Sequence, residues 1–157
     1  MSDMKKVFRI FQYFIPFFLS IPFVTVPIED FLSEYPFFRI FPWYYCWRGA
    51  FVSLLMWLTI GAIYSLNESI SDRFLWGSLA SFLIYHYLSL VVISTQGYSV
   101  VLYPLFYTIS TQIHGTQSTF QTLYVDTGQL LLLLTILFSD RSRNKIRNLI
   151  IKSKNSR

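Results

Sequence analysis

The chain has 157 residues, of which 54% are hydrophobic and 20% aromatic, while only 13% are charged, with a formal net charge of +5. Soluble domains carry about 25% charged residues, so the deficit excludes an ordinary soluble domain and points to a small multi-span membrane protein. A single cysteine, Cys46, excludes an internal disulfide framework and a cysteine-based metal cluster. Seven of the thirteen basic residues fall within residues 140–157, and no basic face with interleaved aromatics exists elsewhere, so nucleic acid is not an expected partner.

At the N-terminus, Lys5, Lys6 and Arg9 precede an apolar run that has no small-residue cleavage site, the pattern of an uncleaved signal anchor. The first span is expected over about residues 10–28, the length that about 20 apolar residues need to cross about 30 Å of hydrocarbon. Pro16, Pro22 and Pro27 each remove a backbone donor, which predicts a kinked helix that draws hydrogen-bond partners from its neighbours.

Residues 29–48 then change character. Glu29, Asp30 and Glu34 are followed by Tyr35, Phe37, Phe38, Phe41, Trp43, Tyr44, Tyr45 and Trp47 around Pro36 and Pro42. Amphipathic rings collect where one edge is wet and the other greasy, so this stretch reads as an outer loop and an aromatic belt. A second span follows over about 49–66, with Gly49, Ser53, Gly61 and Ser65 at multiples of four as a helix-packing stripe. Residues 67–73 read as a tight cytoplasmic connection in which Ser71 or Asp72 caps the next helix. The sequon Asn67, Glu68, Ser69 would carry no glycan on that side.

The third span is expected over about 74–94, with Gly77, Ser78, Ala80 and Ser81 available to face the stripe of the second span. Residues 95–122 hold no charge. As a helix, the apolar run from Tyr98 to Ser110 would cover about 20 Å, too little to cross. An interfacial or re-entrant segment bent at Pro104 is expected instead, leading to a polar run in which His114 and Gly115 form an exposed turn. A fourth span over about 123–139 delivers the chain to the tail.

This arrangement places eleven of the thirteen basic residues on one side and leaves Arg39 and Arg48 on the other. Cytoplasmic flanks hold such an excess of Lys and Arg, so both termini are expected in the cytoplasm of a cell whose inner membrane holds residues 1–139. The tail, with Arg141, Arg143, Lys145, Arg147, Lys152 and Lys154, is expected to lie on anionic lipid. The expected fold class is all-α: a four-helix membrane bundle with an outer interfacial or re-entrant segment before the last span.

No phosphate loop, paired zinc-binding histidines or nucleophile elbow is present, and two histidines are too few to hold haem between membrane helices by two pairs. No cofactor, metal or catalytic set is therefore expected. Two residues stand out, His86 and Asp126, because ionisable groups inside spans are costly and face a partner or a water-filled cavity. Counting about 1.5 Å per residue from the cytoplasmic ends of the third and fourth spans puts both at about 18–20 Å, one common depth. They form a candidate intramembrane pair. The other reading of Asp126 is an outer helix cap, with Gln129 among the headgroups.

An Arg-started third span at Arg73, the break at Gly97 and Tyr98, the run from Leu123 to Phe138 with an acidic residue near its start, and the Ser139 to Arg143 tail together resemble the uncharacterised YbjO-like four-span inner-membrane proteins of enteric bacteria. The first half departs from them in its prolines and aromatic loop. The resemblance implies an inner-membrane protein without assigned chemistry and transfers no site.

The function expected from these features is non-enzymatic: binding another membrane component, as an accessory subunit or as an immunity or exclusion factor, with the bilayer and a membrane protein or a second copy as partners. A small transporter or ion pathway through Asp126 and His86 is the alternative, and a membrane enzyme comes third.

Overall fold

The computed structural model describes residues 2–25, 41–63, 68–112 and 119–138. Four helices and one small sheet follow in the order α1 (Ser2–Thr25), α2 (Trp43–Ile63), α3 (Glu68–Thr95), β1 (Ser99–Tyr103), β2 (Phe106–Gln112), β3 (Thr119–Val125) and α4 (Thr127–Phe138). Three helices are long and apolar enough to cross a membrane, over Lys6–Thr25, Trp43–Ile63 and Ser71–Thr95. Their outward surfaces suit lipid, since Phe14, Phe18, Leu55, Leu58, Ile84 and Leu88 are all exposed.

α1, α2 and α3 pack as a three-helix unit in which α2 runs against the other two. Close approach is set by small residues. A Cβ on Gly77 would collide with the Tyr13 carbonyl of α1, and one on Gly49 would lie 2.8 Å from the Tyr85 ring and from Val24. Where the three helices meet, the Ser53 hydroxyl donates to the Gly49 carbonyl at 2.8 Å and lies 2.8 Å from the Ser81 hydroxyl, with Ser20 at 3.4 Å on the other side. Above and below these serines, Ala50, Leu79, Phe82 and Tyr85 form the core, with Phe17 stacked on Tyr85 at 5.4 Å between ring centroids. Gly77 therefore serves α1, and Ser81 serves both partners.

Gly61 departs from the packing stripe expected of α2: nothing lies within 4 Å of its Cβ position, and it is exposed. It lies three turns beyond Gly49, past the region where α2 meets its neighbours. α1 continues through Pro16 and Pro22. Thr25 Oγ1 donates to the Ile21 carbonyl at 3.1 Å, one turn back.

Two helices begin earlier than expected. α2 starts at Trp43, directly after Pro42, so Trp43, Tyr44, Tyr45 and Trp47 are not loop residues but the first turns of a helix. A proline at a helix start costs nothing, because the N–H it lacks would be unsatisfied there anyway. α3 starts at Glu68, so Ser71 and Asp72 lie within it and not at its N-cap. α3 therefore takes in a stretch that composition alone suggests is a link.

The all-α expectation is also corrected. The region read as an interfacial or re-entrant segment is a three-stranded antiparallel sheet in the order β1-β2-β3. Val100, Val101, Thr108, Ile109, Thr111 and Thr122 supply the β-branched character that favours strands. Tyr103 pairs with Phe106, leaving Pro104 and Leu105 as a two-residue turn. Pro104 fixes its own φ near −65°, and Leu105 takes φ +66°, the left-handed region that costs a non-glycine residue about 1–2 kcal/mol. Because β3 extends to Val125, the last helix starts at Thr127 and not near residue 123. α4 has 12 described residues, about 18 Å of helix.

Ser65, Asn67, His114, Gly115, Pro27, the acidic first half of the 29–48 loop and the basic tail from Asp140 onward lie outside the described residues.

Candidate functional site

The site forms where α3, the β1–β2 turn and the start of α4 meet. α4 runs antiparallel to α3, which a pair of contacts fixes: the Gly128 Cβ position lies 3.0 Å from Leu83 and 3.1 Å from His86, while Thr135, two turns on, accepts a 2.9 Å hydrogen bond from the indole of Trp57 on α2. Asp126 sits between the last residue of β3 and the first of α4. It is the N-cap of the helix: its Oδ1 accepts from the Gln129 backbone N–H at 3.1 Å, and its carbonyl accepts from Leu130 N–H at 3.1 Å.

A solvent-facing cap would leave its carboxyl wet, but Asp126 is 0% exposed. Its Oδ2 accepts from the Tyr87 hydroxyl at 3.1 Å and from Gln129 Nε2 at 2.9 Å. His86 Nε2 approaches Oδ1 to 3.3 Å, with the His86 side chain 11% exposed. The approach is close enough for an ion pair but is not aligned as a hydrogen bond, and Nε2 is buried without any hydrogen-bonding partner. The imidazole ring itself is held firmly, stacked on Phe82 at 5.5 Å and met edge-on by Tyr87 and by Tyr107 of β2.

The structure thus brings His86 and Asp126 together, and it makes Asp126 a cap as well. The two readings of Asp126 coexist because β3 ends the preceding element at the depth of His86.

Two further residues complete the site, and sequence reasoning assigned neither of them this role. Gln129 is a hub: Nε2 also donates to the Tyr103 carbonyl at 3.1 Å, and Oε1 accepts from Leu105 N–H at 2.8 Å. With the Asp126 N–H donating to the Leu105 carbonyl at 2.8 Å, both backbone groups of Leu105 are satisfied by the start of α4. Asp126 and Gln129 at i and i+3 are the spacing of a capping box, the one signal in the sequence that could have linked them. Tyr87 carries no such signal beyond its place next to His86.

The remaining site expectations sort by region. The small residues Gly49, Ser53, Gly77 and Ser81 belong to the three-helix unit and not to this site. At the opposite end of the bundle, Arg73 donates to Gln12 Oε1 across α3 and α1. Arg48, expected outside the spans, is buried on α2 with its guanidinium over the rings of Tyr44 and Tyr45. Among the described residues no group of three or more His, Cys, Asp or Glu side chains is placed to hold a metal ion.

Compared with family models, with curated proteins and with solved structures, the chain gives no match.

Proposed function

We propose that the protein is an inner-membrane protein with both termini on the cytoplasmic side, acting without chemistry of its own by binding another membrane component, as an accessory subunit or an immunity or exclusion factor. What carries the reading is the way the ionisable groups are used. The carboxyl of Asp126 takes three hydrogen bonds from Tyr87 and Gln129 and touches His86, so its polar capacity is spent on joining α3, the hairpin and α4. Groups committed in this way assemble a surface. The broad exposed faces of α1 and α2, rich in Phe and Leu, are available to a partner helix or to lipid.

Photo-reactive residues at Phe14, Phe18 and Leu58, tested one at a time in the native membrane, should give a discrete protein adduct at one helix face and lipid adducts at the others. Lipid adducts at every face would remove the binding reading. The second reading, an ion or proton pathway, draws on His86 Nε2, a buried polar atom with no hydrogen bond next to a buried carboxyl. It requires ion flux in proteoliposomes that is lost in Asp126→Asn.

A further inference from the structure

The sheet shows a change of polarity along its strands. β1, β2 and β3 are in register, so side chains sort into cross-strand rows on two faces. On the face opposite Tyr107, the rows nearest the Pro104 turn are Tyr103, Phe106 and Val125, then Val101, Thr108 and Leu123. All the apolar members are exposed. The next row on the same face is Ser99, Ser110 and Gln121. Two rows whose exposed members are all apolar, with Thr108 buried between Val101 and Leu123, followed by a polar row, is not the pattern of a sheet facing water, whose outer side is polar throughout.

The depth of the turn is fixed by its contacts. Tyr107 meets His86 at 6.1 Å, and Asp126, bonded to Leu105, lies 3.3 Å from His86. His86 is about nine residues, or about 14 Å, short of the end of α3 at Thr95. The hairpin therefore folds back alongside the last turns of α3. Those turns change polarity at the same level as the sheet: Leu88 and Val91 are exposed and apolar, and Ser94 and Thr95 are exposed and polar. A third marker agrees. Gly49 lies against Tyr85, so Trp43 stands about 9 Å further along, level with Val91, at the start of the aromatic turns of α2. From Arg73 to Val91 is about 27 Å along α3, close to the roughly 30 Å of a hydrocarbon core.

We infer that the apolar rows of this face contact lipid: the hairpin dips into the acyl-chain margin of the leaflet at the C-terminal end of α3, and the Ser99, Ser110 and Gln121 row marks the boundary. The inference rests on the membrane reading of α1, α2 and α3 and adds to it an element that is not a helix. Irregular backbone at such depth survives only where its polar groups are satisfied within the protein. At the tip, Leu105 N–H, the Leu105 carbonyl and the Tyr103 carbonyl are met by Gln129 and Asp126, and Pro104 has no N–H to satisfy. Toward the polar row, the open strand edges reach the zone where water and headgroups supply partners, about 5–10 Å being the usual burial of interfacial elements. The site at Asp126 thus acquires a purpose: it replaces water at the tip of a hairpin that water does not reach.

The test uses the full chain with Cys46→Ser, single nitroxide-labelled cysteines at Val101, Leu123 and Val125 and at Ser99 and Gln121, reconstituted in vesicles of phosphatidylethanolamine and phosphatidylglycerol. Collision rates with oxygen, which concentrates in lipid, and with a water-soluble nickel chelate are read by power saturation. The oxygen-to-nickel ratio should be severalfold higher at the first three positions than at the last two. Equal, nickel-dominated ratios at all five would overturn the inference and place the sheet in water. Protection from both reagents at the first three would overturn it in favour of a covering protein, with spin–spin broadening identifying a second copy. Labels at Leu58 and Leu88 on α2 and α3 separate the two levels. Oxygen contact there with nickel contact on the sheet refutes the inference alone, while nickel contact at both refutes the membrane reading with it.

Discussion

The two halves of this molecule are held together by different physics. In the three-helix unit, each helix satisfies its own backbone, so association needs only close approach, and small side chains provide it: Gly77 on the Tyr13 carbonyl, Gly49 on Tyr85, and Ser81 between Ser53 and Ser20. In the second half, a hairpin and a helix start must satisfy backbone groups that no regular element covers, and the chain uses a buried carboxyl and an amide to do so, with a phenol donating to the carboxyl and an imidazole beside it. Where the backbone is irregular, Asp126 and Gln129 complete it.

Removing the centre of the second half should have the largest effect. Asp126→Ala leaves Gln129 and Tyr87 without their shared acceptor, removes the carboxyl beside His86 and uncaps α4, with an expected loss of about 3–5 kcal/mol, the range for breaking a buried network on one side. Asp126→Asn keeps the shape and one acceptor and should recover part of it. Combined with His86→Phe in a double-mutant cycle, read by unfolding in detergent, strictly additive effects would show that the 3.3 Å approach carries no energy.

In the first half, Gly77→Ala drives a methyl group into a carbonyl that belongs to the backbone and cannot swing aside, and about 1–3 kcal/mol of destabilisation is expected. Gly61→Ala is its control: with open space at the Cβ position, it should be neutral or stabilising by up to about 1 kcal/mol through helix propensity. Equal effects at the two glycines would show that close approach is not what holds α1 to α3.

Leu105→Gly removes the cost of a positive φ, about 1–2 kcal/mol, against the loss of a half-buried side chain. A net stabilisation below about 1 kcal/mol is expected, and clear destabilisation would show that the leucine packs more than its backbone strains. The smallest effect belongs to Ser53→Ala. Membrane hydrogen bonds average about 0.6 kcal/mol, and Ser53→Ala gives up the bond with Ser81 and the one to the Gly49 carbonyl while the small volume of the packing site is kept.

Much of the first half was legible because its signals are compositional. Long uncharged runs announce helices able to cross a membrane, and the spacing of Gly49 and Ser53, and of Gly77 and Ser81, announces their contact faces. The helix starts were not legible, since Trp43 to Trp47 and Glu68 to Arg73 look like interface and link, and tertiary context recruits them into helices. The sheet was hidden for a more specific reason. A two-residue hairpin turn announces itself through Gly or Asn where φ is positive, and here Leu105 occupies that position. Without that signal, an uncharged stretch with Pro104 reads as a bent membrane segment. At the site, counting residues from the charged ends placed His86 and Asp126 at one depth, but Gln129 was seen only as a headgroup residue. Its role depends on the hairpin, which was not foreseen.

The start of α4 bears on the order in which this protein is assembled. Its N-terminus is complete only when Leu105 is already turned and α3 already presents Tyr87 and His86. Docking of α4 therefore follows closure of the hairpin on α3.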